Sequence, residues 1–536
     1  MIADPVLSSP SAAARLKKLD EADASRRLWA RDPKLWKPEG PPPAELTDRL
    51  GWLEAPRAME KRVPEFTAFG RELKAEGAKD VVLLGMGGSS LFADLLACTF
   101  GPAEGAPRLS VCDSTFPDAV LAARERLDLS STFFLVASKS GSTTETACLY
   151  EYFRGEVEGA LGKSKAGSRF AAITDPGTPF ERQARDQDFR HVFLSPPDVG
   201  GRYSALTPFG LVPAAALGLD VARLLAKASK MAADCGPDRP ASMNPGFQLG
   251  AWLGEAAREG KDKLTLLISP PLASFGAWLE QLIAESTGKE GKGILPVEWP
   301  EPEEAYGEDR VFVYVRLEGQ ADPAQERRVE ALLKGGRPVL VYNLKDRYDL
   351  GAEVFRWEIA TAVSGVALGI NPFDQPNVQE TKTLTKALLE AKAAKPAPPA
   401  KAEDALALAG RARPGDFIAL NAFIEGSPGA LEALSALRRK LAERFRRPVT
   451  VGIGPRYLHS TGQLHKGGPA SGIFFVLTAT PRGDAAIPGR PYTFGRLVSA
   501  QAEGDLQALL QRGRRAVRLE LGPDPVAGLR RLAETA

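Results

Sequence analysis

Residues 138–146, Ser-Lys-Ser-Gly-Ser-Thr-Thr-Glu-Thr, gather hydroxyls, an ammonium and a glycine between a strand-like run and a helix-like one. That set suits a phosphate monoester dianion. Each hydroxyl donates a short charge-assisted hydrogen bond, and a helix N-terminus adds partial positive charge. The alternative is a helix cap, with Ser140 or Ser142 capping and Glu145 closing a capping box; a cap needs a single hydroxyl, and the surplus favours an anion. A second loop, Gly85-Met86-Gly87-Gly88-Ser89-Ser90, sits in the same kind of place. Its glycines either make a plain tight turn or aim backbone N–H groups at a phosphate or sugar. Asp113, beyond the next strand-like run, adds a dinucleotide reading, although Ser90 stands where that fingerprint has its last glycine.

Proton-transfer candidates are few. Glu285 falls near the C-terminal end of an amphipathic segment whose apolar side is Phe275, Leu279, Leu282 and Ile283, with Gly288 just beyond. A carboxylate at the negative end of a helix is poorly placed for stability, and such a position would suit a base that takes and returns a proton. On spacing alone, a surface glutamate neutralised by Lys289 and Lys292 is the stronger reading. Ser286-Thr287-Gly288-Lys289 resembles the tail of a nucleotide P-loop, but Ile283 replaces its first glycine and Glu290 follows the lysine. Two of the three histidines, His459 and His465, share a stretch with so little apolar content that a core position is not expected for either. No cysteine or paired carboxylate accompanies them, so no metal site is expected. His191 lies in a strand-like run and reads as structural. Arg202 follows two glycines and can reach into a cleft. Lys382 follows the Asn-Pro and Gln-Pro breaks of 369–382, otherwise an ordinary helix entry.

These residues need a scaffold. Strand-like runs at 80–84, 109–112, 132–137, 170–173 and 191–194 alternate with helix-length stretches such as 92–99 and 144–152, which predicts a parallel sheet covered on both faces. A second series has strands at 263–268, 310–316 and 338–343 and helices at 244–259, 275–284 and 324–334. A third has strands at 416–423, 449–453 and 473–478, a helix near 430–445, and a helix–strand pair around 504–521. The expected plan is a helical lead over 1–68, doubly wound α/β domains over 69–220 and 221–390, an Ala/Pro/Lys linker over 391–405, and a small α/β domain over 406–536.

Composition excludes several classes. Lys and Arg total 69 against 67 Asp and Glu, a net charge of +2, so no global field draws nucleic acid or an anionic membrane. The 4 cysteines lack metal or disulfide spacing and read as reduced. No apolar run reaches the roughly 18 residues of a membrane span, and the N-terminus lacks the apolar core of a signal peptide. The chain therefore reads as cytoplasmic.

Taken together, GMGGSS, SKSGSTTET, VGGRYSALTPFG, EQLIAESTGKEGKG, FDQPNVQETK and LHSTGQ resemble the loop, phosphate, arginine, glutamate, lysine and histidine segments of the glucose-6-phosphate isomerase family. LWARDPKLWKP and LGWL are similar to the lead-in found where this isomerase is fused to a transaldolase. The resemblance implies two sugar isomerase (flavodoxin-like) domains and an aldose–ketose isomerase of glycolysis and gluconeogenesis, acting on glucose 6-phosphate and fructose 6-phosphate. It implies no metal or other cofactor. It assigns phosphate binding to Ser138, Lys139, Ser140 and Thr143, sugar contact to Gly88 and Ser89, and a place beside the substrate to Gln375. Glu285 becomes the base of a cis-enediol(ate) mechanism, and Arg202 the stabiliser of the oxyanion. His459 and Lys382 open the ring, with His465 in reserve. A homodimer is implied too, because the family borrows its histidine from a partner. Here the histidine segment follows both the glutamate and the lysine, so the third domain must fold back into a cleft of its own or a neighbouring subunit. A non-catalytic sugar-phosphate sensor and a dinucleotide-dependent oxidoreductase are the competing readings.

Overall fold

Runs such as TFFLVA, KLTLLI and FIALNAF are apolar on both faces, and each becomes a fully buried central strand. The computed structural model describes residues 5–6, 8–298, 306–390 and 398–536. Three parallel sheets result. The first holds β1 (Asp80–Gly85), β2 (Arg108–Cys112), β3 (Thr132–Ala137), β4 (Phe170–Thr174) and β5 (His191–Leu194) in the order β2-β1-β3-β4-β5. The second holds β6 (Lys263–Ile268), β7 (Leu295–Val297), β8 (Arg310–Leu317) and β9 (Val339–Leu344) in the order β7-β6-β8-β9. The third holds β10 (Phe417–Phe423), β11 (Val449–Ile453), β12 (Gly472–Thr478) and β13 (Arg515–Glu520) in the order β11-β10-β12-β13.

In each sheet the first strand of the series sits between the second and the third, so the winding reverses direction beside it. Such a reversal opens a crevice at the carboxyl ends of the strands. In the first sheet β1 and β3 run in register to their ends, Gly85 opposite Ala137. The GMGGSS and SKSGSTTET loops therefore leave the sheet side by side.

The N-terminal helices are built into the same core. Pro10–Glu21 packs on the helix Pro245–Arg258, and Val63–Ala75 packs on Pro208–Ala216. Between them, Trp36 donates through Nε1 to the Ala362 carbonyl at 2.8 Å and meets Phe373 edge-on. Trp52 stacks on Tyr203 with ring centroids 5.1 Å apart. The lead thus underpins two loops, around Arg202 and Gln375. The third sheet keeps its own core on one face. On the other face Phe417, Phe423, Tyr457, Leu464 and Phe474 form a continuous apolar interface with Phe116, Ala284, Leu295 and Val297 of the other two units.

Of the stretch read as a linker, residues 391–397 lie outside the described residues, and the chain is helical again over Ala402–Ala409. The three-residue strand β7 and the helix Leu350–Leu368 were not apparent from sequence periodicity. The helix is buried nearly all round, so it carries no polar stripe to give it a period. Among the described residues no helix is long and apolar enough to cross a membrane.

Trp52→Ala should destabilise the protein by about 3–5 kcal/mol, as truncations of large buried aromatics do. Thermal unfolding of wild type and variant side by side checks this.

Candidate active site

A crevice of about 540 Å3 opens where the carboxyl ends of β1 and β3 face the second sheet's helices. Gly88, Ser89, Lys139, Ser140, Thr143, Arg202, Glu285, Gln375, Lys382 and His459 all line it. Ser138 does not: it is buried at the end of β3, and its Oγ has no hydrogen-bond partner.

The phosphate-type loop has no capping box. Its helix, Thr144–Leu161, starts after Thr143 with no side-chain cap. Ser140 and Ser142 pair with each other at 3.0 Å, leaving the hydroxyl-rich turn open to the crevice. Lys139 donates to Asp175 at 2.7 Å and to the Pro196 carbonyl at 3.3 Å. Burial pushes the lysine down and the aspartate up from their ordinary values, so an incoming dianion would meet a desolvated cation.

The GMGGSS loop shows what its glycines are for. A Cβ on Gly88 would stand 2.0 Å from the Gly201 carbonyl oxygen. Gly87, at φ +54°, would place a Cβ 2.9 Å from the His459 carbonyl oxygen and 2.8 Å from Gln281 Nε2. Bare backbone at these two positions lets three parts of the chain close on one point.

Glu285 lies in the last turn of the helix Phe275–Thr287, with Arg202 Nη1 3.3 Å from its Oε1. Neither Lys289 nor Lys292 neutralises it, contrary to the surface alternative. Lys292 donates to the Leu368 carbonyl, and buried Lys289 donates to the Asn371 carbonyl and pairs with Asp374. Burial pushes Lys289 down to about 7, and the neighbouring Arg202 adds to the effect. Arg202 is itself buried and held on every side. Its Nε donates to Ser286 Oγ at 2.6 Å, Nη1 to Gln375 Oε1 at 2.9 Å, and Nη2 to the carbonyls of Pro372 and Asp374. A guanidinium fixed in this way needs no reorganisation when charge develops beside it.

His459 reaches the crevice from the third unit of the same chain. Its Nε2 lies 3.0 Å from Glu145 Oε1, and its carbonyl accepts from Gln281 Nε2 at 2.8 Å. Gln281 also donates to Glu285 Oε2 at 3.1 Å, tying the glutamate to the histidine backbone. Behind Glu145, Gln501 Nε2 donates to the same Oε1 and Thr115 donates to Gln501. Glu145, Gln281 and Gln501 were missed as site residues. Gln281 stands four residues before Glu285, a spacing that puts both on one helix face; Gln501 had no sequence signal.

Two expectations need correcting. His465 is fully buried against Phe417, Tyr457 and Phe474, and neither ring nitrogen has a partner. Burial pushes it well below its ordinary value, so it is a core histidine and no reserve for His459. The polar segment fails to show this because the apolar surroundings come from distant strands. Asp113, the acid of the dinucleotide reading, is held by Arg456 Nε at 2.6 Å and is not free for a ribose. His191 pairs with Glu72 at 2.8 Å on the far side of the first sheet. No group of three or more metal-ligating side chains occurs among the described residues.

Residues 65–294 match the family model described as phosphoglucose isomerase. A glucose-6-phosphate isomerase of Rubrobacter xylanophilus is 30% identical over 392 residues, covering 64% of this chain and 89% of that protein. One from Lactobacillus helveticus is 31% identical over 384 residues, covering 63% and 85%. Among solved structures, a hypothetical protein from Thermus thermophilus superposes with a TM-score of 0.61 at 26% identity, covering 71% of this chain and 97% of that one. A glucose-6-phosphate isomerase from Chlamydia trachomatis shares the fold, with a TM-score of 0.56 at 19% identity over 71% of this chain and 86% of its own. Doubly wound parallel lobes closing on a hydroxyl-rich loop, a carboxylate and a fixed guanidinium define a protein of the sugar-isomerase fold. Within that class, the chain belongs to the phosphoglucose isomerase family.

Burial alone would raise the Glu145 carboxyl, but the charge and hydrogen bond of His459, its own backbone N–H and Lys382 hold it at about 2, below the ordinary 4.5. The unfolded chain therefore takes up a proton over that interval that the native chain does not, and stability falls as pH drops through it. The effect is on the order of 3 kcal/mol. The gap in unfolding temperature between wild type and Glu145→Gln should be wide at pH 6 and should narrow steadily toward pH 3.

Proposed function

We propose that this crevice interconverts glucose 6-phosphate and fructose 6-phosphate. The observation that carries the reading is a carboxylate and a hydroxyl-rich anion loop facing one cavity, with a fixed guanidinium 3.3 Å from the carboxylate. Lys139, Ser140 and Thr143 grip the phosphate, with Ser138 supporting the loop from behind. Gly88 and Ser89 hold the sugar by close backbone approach, and Gln375 steadies both Arg202 and the ligand.

In the aldose-to-ketose direction, Glu285 takes the proton from C2, leaving a cis-enediolate with its charge on O1. The O2 proton passes to O1 as the carbonyl forms at C2, and Glu285 returns its proton to C1, ending as the carboxylate it began. Arg202 stabilises the negative charge that passes between O1 and O2. His459, fixed through Nε2 by Glu145, and Lys382 assist ring opening by moving a proton between O5 and O1. The residues named here all belong to one chain, and a homodimer is the assembly that the family resemblance implies. A non-catalytic sensor would need the phosphate loop alone; the convergence of Glu285, Gln281 and His459 favours the enzyme.

Glu285→Gln should lose isomerisation by about 10²–10⁴-fold or more, the range for a positioned acid–base group, while still binding a 6-phosphosugar. An assay beside a binding titration tests this, and retained activity would sink the reading. His459→Ala should slow turnover of ring-closed glucose 6-phosphate far more than proton exchange on a 5-deoxy ketose 6-phosphate, which cannot close its ring.

A further inference from the structure

His459 belongs to a unit wound separately from both lobes, so its depth in the crevice depends on how that unit is held. The apolar interface supplies adhesion, but burial of apolar surface has no direction. Direction must come from polar contacts. Those nearest His459 lie in its own short helical turn, Arg456–His459, which leaves the carboxyl end of β11.

In a 3₁₀ turn the side chains of residues i and i+3 eclipse. Arg456 and His459 therefore project to the same side, and both reach the first lobe. Arg456 Nε lies 2.6 Å from Asp113 Oδ2, just beyond β2, and Nη1 lies 3.5 Å from Asp94 Oδ2. His459 Nε2 lies 3.0 Å from Glu145 Oε1, just beyond β3. The two prongs straddle the end of β1, where Gly87 touches the His459 backbone. Ser90 of the GMGGSS loop approaches the same Asp113 oxygen at 3.4 Å. On the other flank Ser460 donates to Glu280 at 3.0 Å, one turn before Glu285 on its helix.

We propose that Arg456 is a positioning residue for the isomerase reaction: its clasp on Asp113 sets the depth at which the third unit presents His459 to the substrate ring. The proposal rests on the ring-opening role read for His459 above. It gives Asp113 a function, as the anchor for a guanidinium whose planar fork fixes orientation where an ammonium would fix only distance. It also accounts for the chain order. A histidine delivered from beyond a linker needs a second point of attachment close to it in sequence, and Arg456 is three residues away.

A double-mutant cycle tests this, because a residue that acts only through another has no effect once the other is gone. Arg456→Met should lower kcat on glucose 6-phosphate about tenfold or more, with KM changed less than about threefold. Exchange on the 5-deoxy ketose 6-phosphate should be nearly unchanged, and Arg456→Lys should recover part of the loss. In a His459→Ala background, Arg456→Met should cost nothing further. Should Arg456→Met not fold, Asp113→Asn removes the same clasp and is read in both backgrounds in the same way. An equal loss with and without His459, or a loss below twofold, would overturn the proposal alone. A His459→Ala enzyme with undiminished turnover of closed-ring substrate would overturn the ring-opening reading and the proposal with it.

Discussion

The absence of two β-carbons sets the dimensions of this site. Gly88 presses its backbone against Gly201, which fixes the loop after β1 to the loop carrying Arg202. Gly87 admits Gln281 from the second lobe and His459 from the third unit to the same spot. A third contact repeats the device at the end of the Glu285 helix, where a Cβ on Gly288 would stand 2.4 Å from the Leu464 Cα. Three separately wound sheets can converge on one small ligand only if their backbones nearly touch, and side chains at these points would hold them apart.

Charge is handled with the same economy. Of the cations Arg202, Lys289, Lys292 and Lys139, Arg202 alone pairs with Glu285. Lys289 and Lys292 satisfy carbonyls, and Lys139 is matched by Asp175. Asn371, Pro372 and Asp374 offer their carbonyls to Lys289 and Arg202 together, so one short loop is wrapped around two cations. Like charges so close are tolerable because the loop supplies oxygens to both, and burial disfavours the charge on Lys289. Gln375 follows directly in that loop and inherits its placement.

Chemistry encoded within a few residues was readable from sequence. The two loops after β1 and β3 declare themselves by glycines and hydroxyls at a strand–helix junction, and the central strands by unbroken apolar runs. The resemblance to a known family ordered these fragments into a site. Contacts made across the fold were not readable. His465 sits in a polar stretch yet points into aromatics contributed by β10, β12 and the Arg456–His459 turn. Glu145 has the spacing of a helix-cap partner, but its partner is a histidine more than 300 residues away. Strand β7 is too short for any period, and it pairs with β6 only because the Phe275–Thr287 helix delivers it there.

The origins of the two principal charged groups explain why the lobes are not equivalent. The first and third sheets contribute chiefly from beyond a strand's carboxyl end, with Ser89 after β1, Asp113 after β2, Thr143 after β3, Asp175 after β4, Arg202 after β5 and His459 after β11; Gln501, from the helix Phe494–Gln511, is the exception. The second sheet departs from this pattern. Its carboxylate comes from the last turn of a helix, where the field of the aligned peptides opposes negative charge. A carboxylate in that position needs a compensating cation that will not move, and a flexible lysine would fold onto it and block the ligand. The arginine after β5, with its remaining donors committed to Ser286, Gln375 and two carbonyls, stays beside the carboxylate without collapsing over it. The place of the histidine in the chain order is then immaterial. What the crevice requires is a turn at the end of some strand, brought to Gly87 and held at that depth.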